Sequence, residues 1–212
     1  MSWLFESKGE MTPEQQFELP SEKNLEKLKG LEVKGEDGQA VSFKSLIEDA
    51  SHPRVLTVFI RHFFCGFCEE YLKALYKDFS PPTLSALNPP TKLVVIGCGD
   101  PSLIADYKKR NNCPYDIYAD PKRVTYDTIG FAVTLATGHK NIAYSDRSFA
   151  SVVVSSFLTN LTAGPTKLFS GGKTAQNGGE LIWVNGELKF IHRMATTTGH
   201  LGVPELKAKL EI

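Results

Sequence analysis

Net charge is what this chain most plainly lacks. Lysine and arginine number 24, and aspartate and glutamate number 24, so the formal charge is zero. That excludes a role driven by bulk electrostatics, on nucleic acid or on a charged membrane surface. No apolar run approaches the length of a membrane span. The N-terminus, MSWLFESKGEMTPEQQFELP, lacks a basic region followed by an apolar core, so no secretory signal is expected. Cysteine is scarce, at four in 212 residues. That excludes a disulfide scaffold and makes a reducing, cytoplasmic setting the expectation. The five histidines form no HExxH and no Cys/His ligand spacing, so no metal is expected. The Gly-rich SGGKTAQNGG at 170–179 lacks GxxxxGK[ST] and leads from no strand into a helix, so it is no phosphate loop. No organic cofactor is expected.

Two of the scarce cysteines stand together. The stretch VLTVFIRHFFCGFCEEYLKALYKDF runs from Val55 to Phe79. Val55 to Ile60 is short, apolar and β-branched, which suits a strand buried on both faces of a parallel sheet. Cys65-Gly66-Phe67-Cys68 follows, and Cys68, Leu72, Leu75 and Phe79 then line one face of a helix. Cys65 is therefore expected at a helix N-terminus and at the carboxyl end of a central strand, where open α/β sheets place their chemistry. Free backbone N–H groups and the helix dipole favour an anion there. Arg61 and His62 can add positive charge, while Glu69 and Glu70 oppose it. A CxxC between a strand and an amphipathic helix is a specific redox context; the plainer reading is two buried structural thiols.

Residues 1–20 read as an N-terminal arm whose Trp3, Leu4 and Phe5 can dock on the body or on a second subunit of a homodimer. Residues 21–212 read as one α/β domain. Ser21 caps a short helix to Lys29, and residues 31–43 form a hairpin through Gly35-Glu36-Asp37-Gly38. Pro81, Pro82, Pro89 and Pro90 bracket a loop. Lys92 to Ile96 is a second buried strand, expected parallel to and beside Val55–Ile60. It leads through Pro101 into a helix over 102–110. Tyr115 to Tyr118 is a third strand, and Asp120 is placed to cap a helix to Ile129. Residues 131–177 break the alternation as an insertion, with a helix over 145–161 whose apolar stripe is Phe149, Val152, Val153, Phe157 and Leu161 and which is expected to pack its Phe149, Val153 and Phe157 face. Asn185-Gly186 joins the two strands of a closing hairpin, and a helix over 203–210 ends the chain.

This order resembles the thioredoxin-like fold of peroxiredoxin type, with a helical insertion before the last β-hairpin. More closely, it is similar to the peroxiredoxin-like family with an AhpC/TSA antioxidant-enzyme domain. The residues that carry the likeness are Phe59 to Tyr71, Val94-Val95-Ile96-Gly97, Tyr118-Ala119-Asp120-Pro121, Gln176-Asn177-Gly178-Gly179 and Phe190-Ile191-His192-Arg193. The resemblance implies a thiol oxidoreductase that reduces hydroperoxides or disulfides, with Cys65 as nucleophile, Cys68 as resolving partner and a thioredoxin- or glutathione-type reductant. Two departures stand out. Typical peroxiredoxins carry Pro-x-x-x-Thr/Ser-x-x-Cys; here Arg61 holds the Pro position, Cys65 the Thr/Ser position and Cys68 the cysteine. A peroxiredoxin alignment thus nominates Cys68 and a thioredoxin alignment Cys65. The thioredoxin cis-proline is also missing: no proline stands between Pro165 and Pro204, and Gly178-Gly179 takes its place.

Cys98, ending the strand beside Val55–Ile60, is expected at the same sheet edge, as a second resolving thiol or as packing. His192-Arg193 can hold an anion or end a solvated strand. A rival class also fits: a thioredoxin-fold protein repurposed to bind or convert a small apolar ligand without redox turnover. A polar, solvent-open Cys65 favours the first class; an apolar cleft lined by the insertion, or a buried Cys65, favours the second.

Overall fold

A computed structural model describes residues 11–138, 144, 145, 147–163 and 170–212, and side chains within these outside 157–163. Seven strands form one mixed sheet: β1 (Glu32–Lys34), β2 (Ala40–Ser42), β3 (Arg54–Phe59), β4 (Thr91–Gly97), β5 (Asp116–Ala119), β6 (Gly179–Val184) and β7 (Glu187–Arg193). Their order is β2-β1-β5-β4-β3-β6-β7. β3 and β4 are adjacent and parallel, with Val55 opposite Lys92 and Phe59 opposite Ile96, as their composition leads one to expect. β6 runs antiparallel along the other side of β3, from Arg54↔Val184 to Phe59↔Gly179. The Asn185-Gly186 turn to β7 has both residues at positive φ, 52° and 75°, the geometry that matches strand twist in a two-residue hairpin.

Every residue of β3 is buried, and alternate side chains feed different layers. Leu56, Val58 and Ile60 enter one cluster with Cys65, Cys68, Leu72 and Leu75 of the CxxC segment. Val55 and Phe59 enter another with Phe43, Tyr126, Trp183 and Cys98. Helix α1 (Pro13–Phe17) lies against β7, and α2 (Glu22–Lys29) and α3 (Phe43–Ile47) flank the first hairpin. Helix α4 (Gly66–Asp78) follows the CxxC, then α5 (Pro81–Ser85), α6 (Ile104–Asn111), α7 (Val124–Ile129), α8 (Phe149–Ala163) and α9 (Val203–Leu210). Full burial of Leu72, Leu75 and Phe79 stabilises the docking of α4 by roughly 1.5–3 kcal/mol for each side chain. Buried Arg54 fastens α9, donating from Nη1 to the Leu210 carbonyl at 3.0 Å and from Nε to Thr91 Oγ1 at 2.7 Å.

Several local expectations need correction. The proline-bracketed stretch contains α5, because Ser80 caps it and prolines fit its first turn. Asp120 acts from outside α7: its carboxylate accepts from Thr125 N at 2.7 Å and Oγ1 at 2.6 Å, while Arg123, with φ 58°, stands at the N-cap. The insertion helix starts at Phe149, after Ser148. Its inner face is Phe149 and fully buried Val152, whereas Val153 is 43% exposed. Without charges to mark a polar face, the apolar pattern admits more than one stripe. Trp3, Leu4, Phe5 and the Phe157 and Leu161 side chains lie outside the described residues. Among the described residues no helix is long and apolar enough to cross a membrane.

Gly178 is held against β3 more tightly than any side chain allows: a Cβ there would stand 1.8 Å from the Phe59 carbonyl oxygen. Gly178→Ala is therefore expected to destabilise the protein by about 3 kcal/mol or more in urea unfolding. Gly30→Ala, whose nearest neighbour would be 3.5 Å away, is the control, with a stability change of no more than about 1 kcal/mol in either direction.

Candidate active site

The site is built on the ends of β3 and β4. The buried Tyr126 hydroxyl, from α7, donates toward the Ile60 carbonyl at 2.7 Å and the Ile96 carbonyl at 2.9 Å. Ile60 N–H donates to Ile96 O at 2.9 Å. Beyond this pin the chain leaves the sheet through Arg61 to Phe64, and Cys65 N–H closes the turn on His62 O at 3.1 Å. Cys65 then caps α4, with extended φ and ψ of −86° and 104°, its sulfur accepting from Cys68 N–H at 3.4 Å. The N-terminal placement expected of Cys65 is what the structure has.

Arg61 organises the thiols. Its Nη1 donates to Cys65 Sγ at 3.4 Å, its backbone N–H to Cys68 Sγ at 3.3 Å, and its Nη2 to the Thr174 carbonyl. The side chain is buried, and among the described residues it pairs with no carboxylate. Burial pushes the Cys65 thiol up, but the hydrogen bond from the Cys68 thiol and the Arg61 charge outweigh it and hold Cys65 well below the ordinary cysteine range. Burial and the same thiol–thiol hydrogen bond push Cys68 well above it. His62 is buried as well, which takes it to about 4; it is neutral near pH 7, so the cation beside Cys65 is Arg61. His62 Nδ1 instead accepts from Phe64 N–H at 3.4 Å.

Neither thiol is open to solvent: Cys65 is 3% exposed and Cys68 is 0%. Helix α8 covers them. A Cβ on Gly66 would lie 2.0 Å from Ser156 Oγ, and the Phe67 and Phe149 rings meet at 5.0 Å. Cys98 does sit at the same sheet edge, but in the other core layer; its Sγ donates to the Arg61 carbonyl at 2.9 Å, and burial raises it to about 11. Gly178 and Gly179 flank the end of β3. A Cβ on Gly179 would lie 2.0 Å from His192 O, so close backbone approach to β7 excludes any side chain at that position. The cis peptide among the described residues is Asn88–Pro89, elsewhere in the chain.

Sequence reading missed several partners. Thr174 brings its carbonyl from the Gly-rich loop. Arg110, from α6, reaches Glu69 and the Phe63 carbonyl; long sequence separation hid it. Behind α4, fully buried Glu180 accepts from His192 Nδ1 at 2.7 Å and His200 Nδ1 at 2.6 Å, and His200 stacks on Tyr71 at 4.1 Å. His192 is thus engaged, and Arg193 donates to the carbonyls of Ile129, Gln15 and Glu18; neither is an open anion site.

The central βαβ order, the antiparallel closing hairpin and a CxxC at the first turn of a helix define a thioredoxin-like protein of peroxiredoxin type. The chain belongs to the AhpC/TSA antioxidant-enzyme family, whose model matches residues 74–196. That match begins within α4, after the thiols. Peroxiredoxin-like 2C of Homo sapiens is 30% identical over 168 residues, 77% of this chain and 70% of the relative. Peroxiredoxin-like 2C of Mus musculus is 29% identical over 175 residues, 80% of this chain and 73% of the relative. Among solved structures, an uncharacterized thioredoxin-like protein from Porphyromonas gingivalis superposes with a TM-score of 0.53 at 15% identity, covering 87% of this chain and 90% of that one. A peroxiredoxin-like protein from Aquifex aeolicus gives 0.50 at 12% identity, covering 85% and 81%. These structures support the fold.

The Glu180 cluster gives a pH signature. Burial raises the Glu180 carboxyl, but the two imidazoles outweigh it and hold it at about 2, against an ordinary 4.5. The folded protein therefore binds fewer protons than the unfolded chain between those values. The Glu180 contribution is intact above about pH 4.5 and is lost as pH falls toward 2. Glu180→Gln is expected to lower stability at pH 7 by about 3–5 kcal/mol, since it breaks a buried pair, and to flatten this acid limb in urea titrations across pH.

Proposed function

We propose that the protein is a thiol oxidoreductase that reduces small hydroperoxides, with Cys65 as the attacking thiolate and Cys68 as the resolving thiol. The observation that carries the reading is the buried Arg61 guanidinium on Cys65 Sγ, with no carboxylate among its described partners. A buried cation needs a counter-charge, and the Cys65 thiolate supplies it. Cys68, fully enclosed and hydrogen-bonded to its neighbour, stays protonated until it is needed.

In the reaction the Cys65 thiolate attacks the terminal peroxide oxygen. The O–O bond breaks, the alkoxide takes a proton, and Cys65 becomes a sulfenic acid. The Cys68 thiol then attacks the Cys65 sulfur; an S–S bond forms and water leaves. A thioredoxin- or glutathione-type thiol returns both cysteines to the reduced state by exchange. No metal or organic cofactor takes part. Cover by α8 favours a small hydroperoxide over a protein disulfide, which needs in-line access to sulfur. Four cysteines without a disulfide framework fit a reducing compartment such as the cytoplasm.

The same cover favours the second reading, a repurposed fold, because Cys65 is buried and the insertion helix packs on Gly66 and Phe67 beside it. Peroxide consumption separates the two. With dithiothreitol as reductant, wild type is expected to consume hydrogen peroxide or a small alkyl hydroperoxide over many turnovers. Cys65→Ser abolishes consumption. Cys68→Ser, reduced and freed of dithiothreitol before peroxide is added, completes one oxidation and accumulates a sulfenic acid, trapped with dimedone and read by mass spectrometry. Wild type that leaves peroxide untouched, with Cys65 unmodified, establishes the repurposed fold instead.

A further inference from the structure

Arg110 closes α6 and reaches out of its own helix to the turn that carries Cys65. Its Nε donates to Glu69 Oε1 at 3.0 Å, and its Nη2 to the Phe63 carbonyl. The guanidinium lies 5.5 Å over the Phe64 ring and 4.8 Å over the Tyr107 ring. One side chain thus grips the backbone just before Cys65 and a carboxylate in the first turn just after it.

An exposed ion pair of this kind contributes little, but the Arg110 and Glu69 side chains are only 25% and 15% exposed, and the place matters. Glu69 stands at the positive end of α4, which also faces the Cys65 sulfur. A carboxylate there stabilises the helix while opposing a second anion beside it. Burial raises the Glu69 carboxyl, Arg110 lowers it, and the Cys65 charge raises it; the two acids sense each other. A compensating cation removes the conflict without removing the helix-stabilising acid.

We propose that Arg110 is a positioning residue for Cys65, neutralising Glu69 and fixing the Phe63–Phe64 turn so that the α4 N-terminus presents a positive field to the sulfur. The proposal rests on Cys65 being the nucleophile. Arg61, His62, Cys68, Tyr107 and Tyr144 also act electrostatically on Cys65 or sense its charge, and all are left intact in the variants below.

The test is iodoacetamide labelling of Cys65 against pH, read on the Cys65 peptide by mass spectrometry, for wild type, Arg110→Gln, Glu69→Gln and the double variant. Arg110→Gln is expected to raise the labelling midpoint and slow labelling at pH 7 by about threefold or more. Glu69→Gln, which keeps size and hydrogen bonding, labels at least as fast as wild type. The double variant returns to within about twofold of wild type, because the uncompensated acid is gone. A role in packing alone leaves the double variant as slow as Arg110→Gln. That result overturns the proposal, as does a wild-type midpoint in Arg110→Gln or slower labelling in Glu69→Gln. Should Arg110→Gln fail to fold, Glu69→Gln alone decides by the same criterion. A wild-type Cys65 that titrates like a free thiol overturns the nucleophile reading itself, and is seen before any substitution is made.

Discussion

A guanidinium enclosed with no carboxylate partner among the described residues is the constraint on which the site depends. Arg61 cannot give up its proton in a protein, so its surroundings must answer its charge. Its main-chain N–H and O engage Cys68 and Cys98, and its side chain engages Cys65 and the Thr174 carbonyl. The arrangement separates two chemically identical thiols. Cys65 meets the cation and is driven toward thiolate, while Cys68 is driven toward thiol by full burial and its neighbour's sulfur, which outweigh the Arg61 N–H that it accepts. Two alignments nominate different cysteines for attack, and it is this asymmetry that favours Cys65.

Holding Arg61 in place falls to groups far apart in the chain. Tyr126 ties together the ends of β3 and β4 immediately before the turn. Gly178 and Gly179 let β6 and its lead-in press against the end of β3 with no room for a Cβ. The Gly178 carbonyl is spent on a contact within the protein, accepting from Met194 N–H at 2.9 Å. This accords with a small-molecule oxidant better than with a protein substrate.

Behind α4 lies a second buried charge. Glu180 is as enclosed as Arg61, and its partners His192 and His200 tie β6, β7 and the following loop into one unit beneath Tyr71. The two buried groups have different kinds of partner. Glu180 is held by two imidazoles within the scaffold, whereas Arg61 faces a sulfur. In the proposed cycle, oxidation of Cys65 would change the charge that Arg61 faces and leave the partners of Glu180 unchanged.

The local sequence determined most of the elements. A β-branched run, a CxxC, a helical stripe and an Asn-Gly turn each act over a few residues, so β3, α4 and the closing hairpin were legible, as was the placement of Cys65 at a helix N-terminus. The parallel pairing of β3 with β4 followed from the alternation of strand and helix. Where the pattern had no polar face, as in charge-free α8, the apolar stripe took in exposed Val153 beside buried Val152. Tertiary structure alone decided the rest. It placed Cys98 in the opposite layer, because alternate side chains of the strands feed opposite faces of the sheet. It closed α8 over Cys65, made His62 neutral by burial, and brought Arg110 and Glu180 to the thiol helix. Each of these depends on residues remote in sequence and on the dielectric of an interior that exists only once the sheet is covered on both sides.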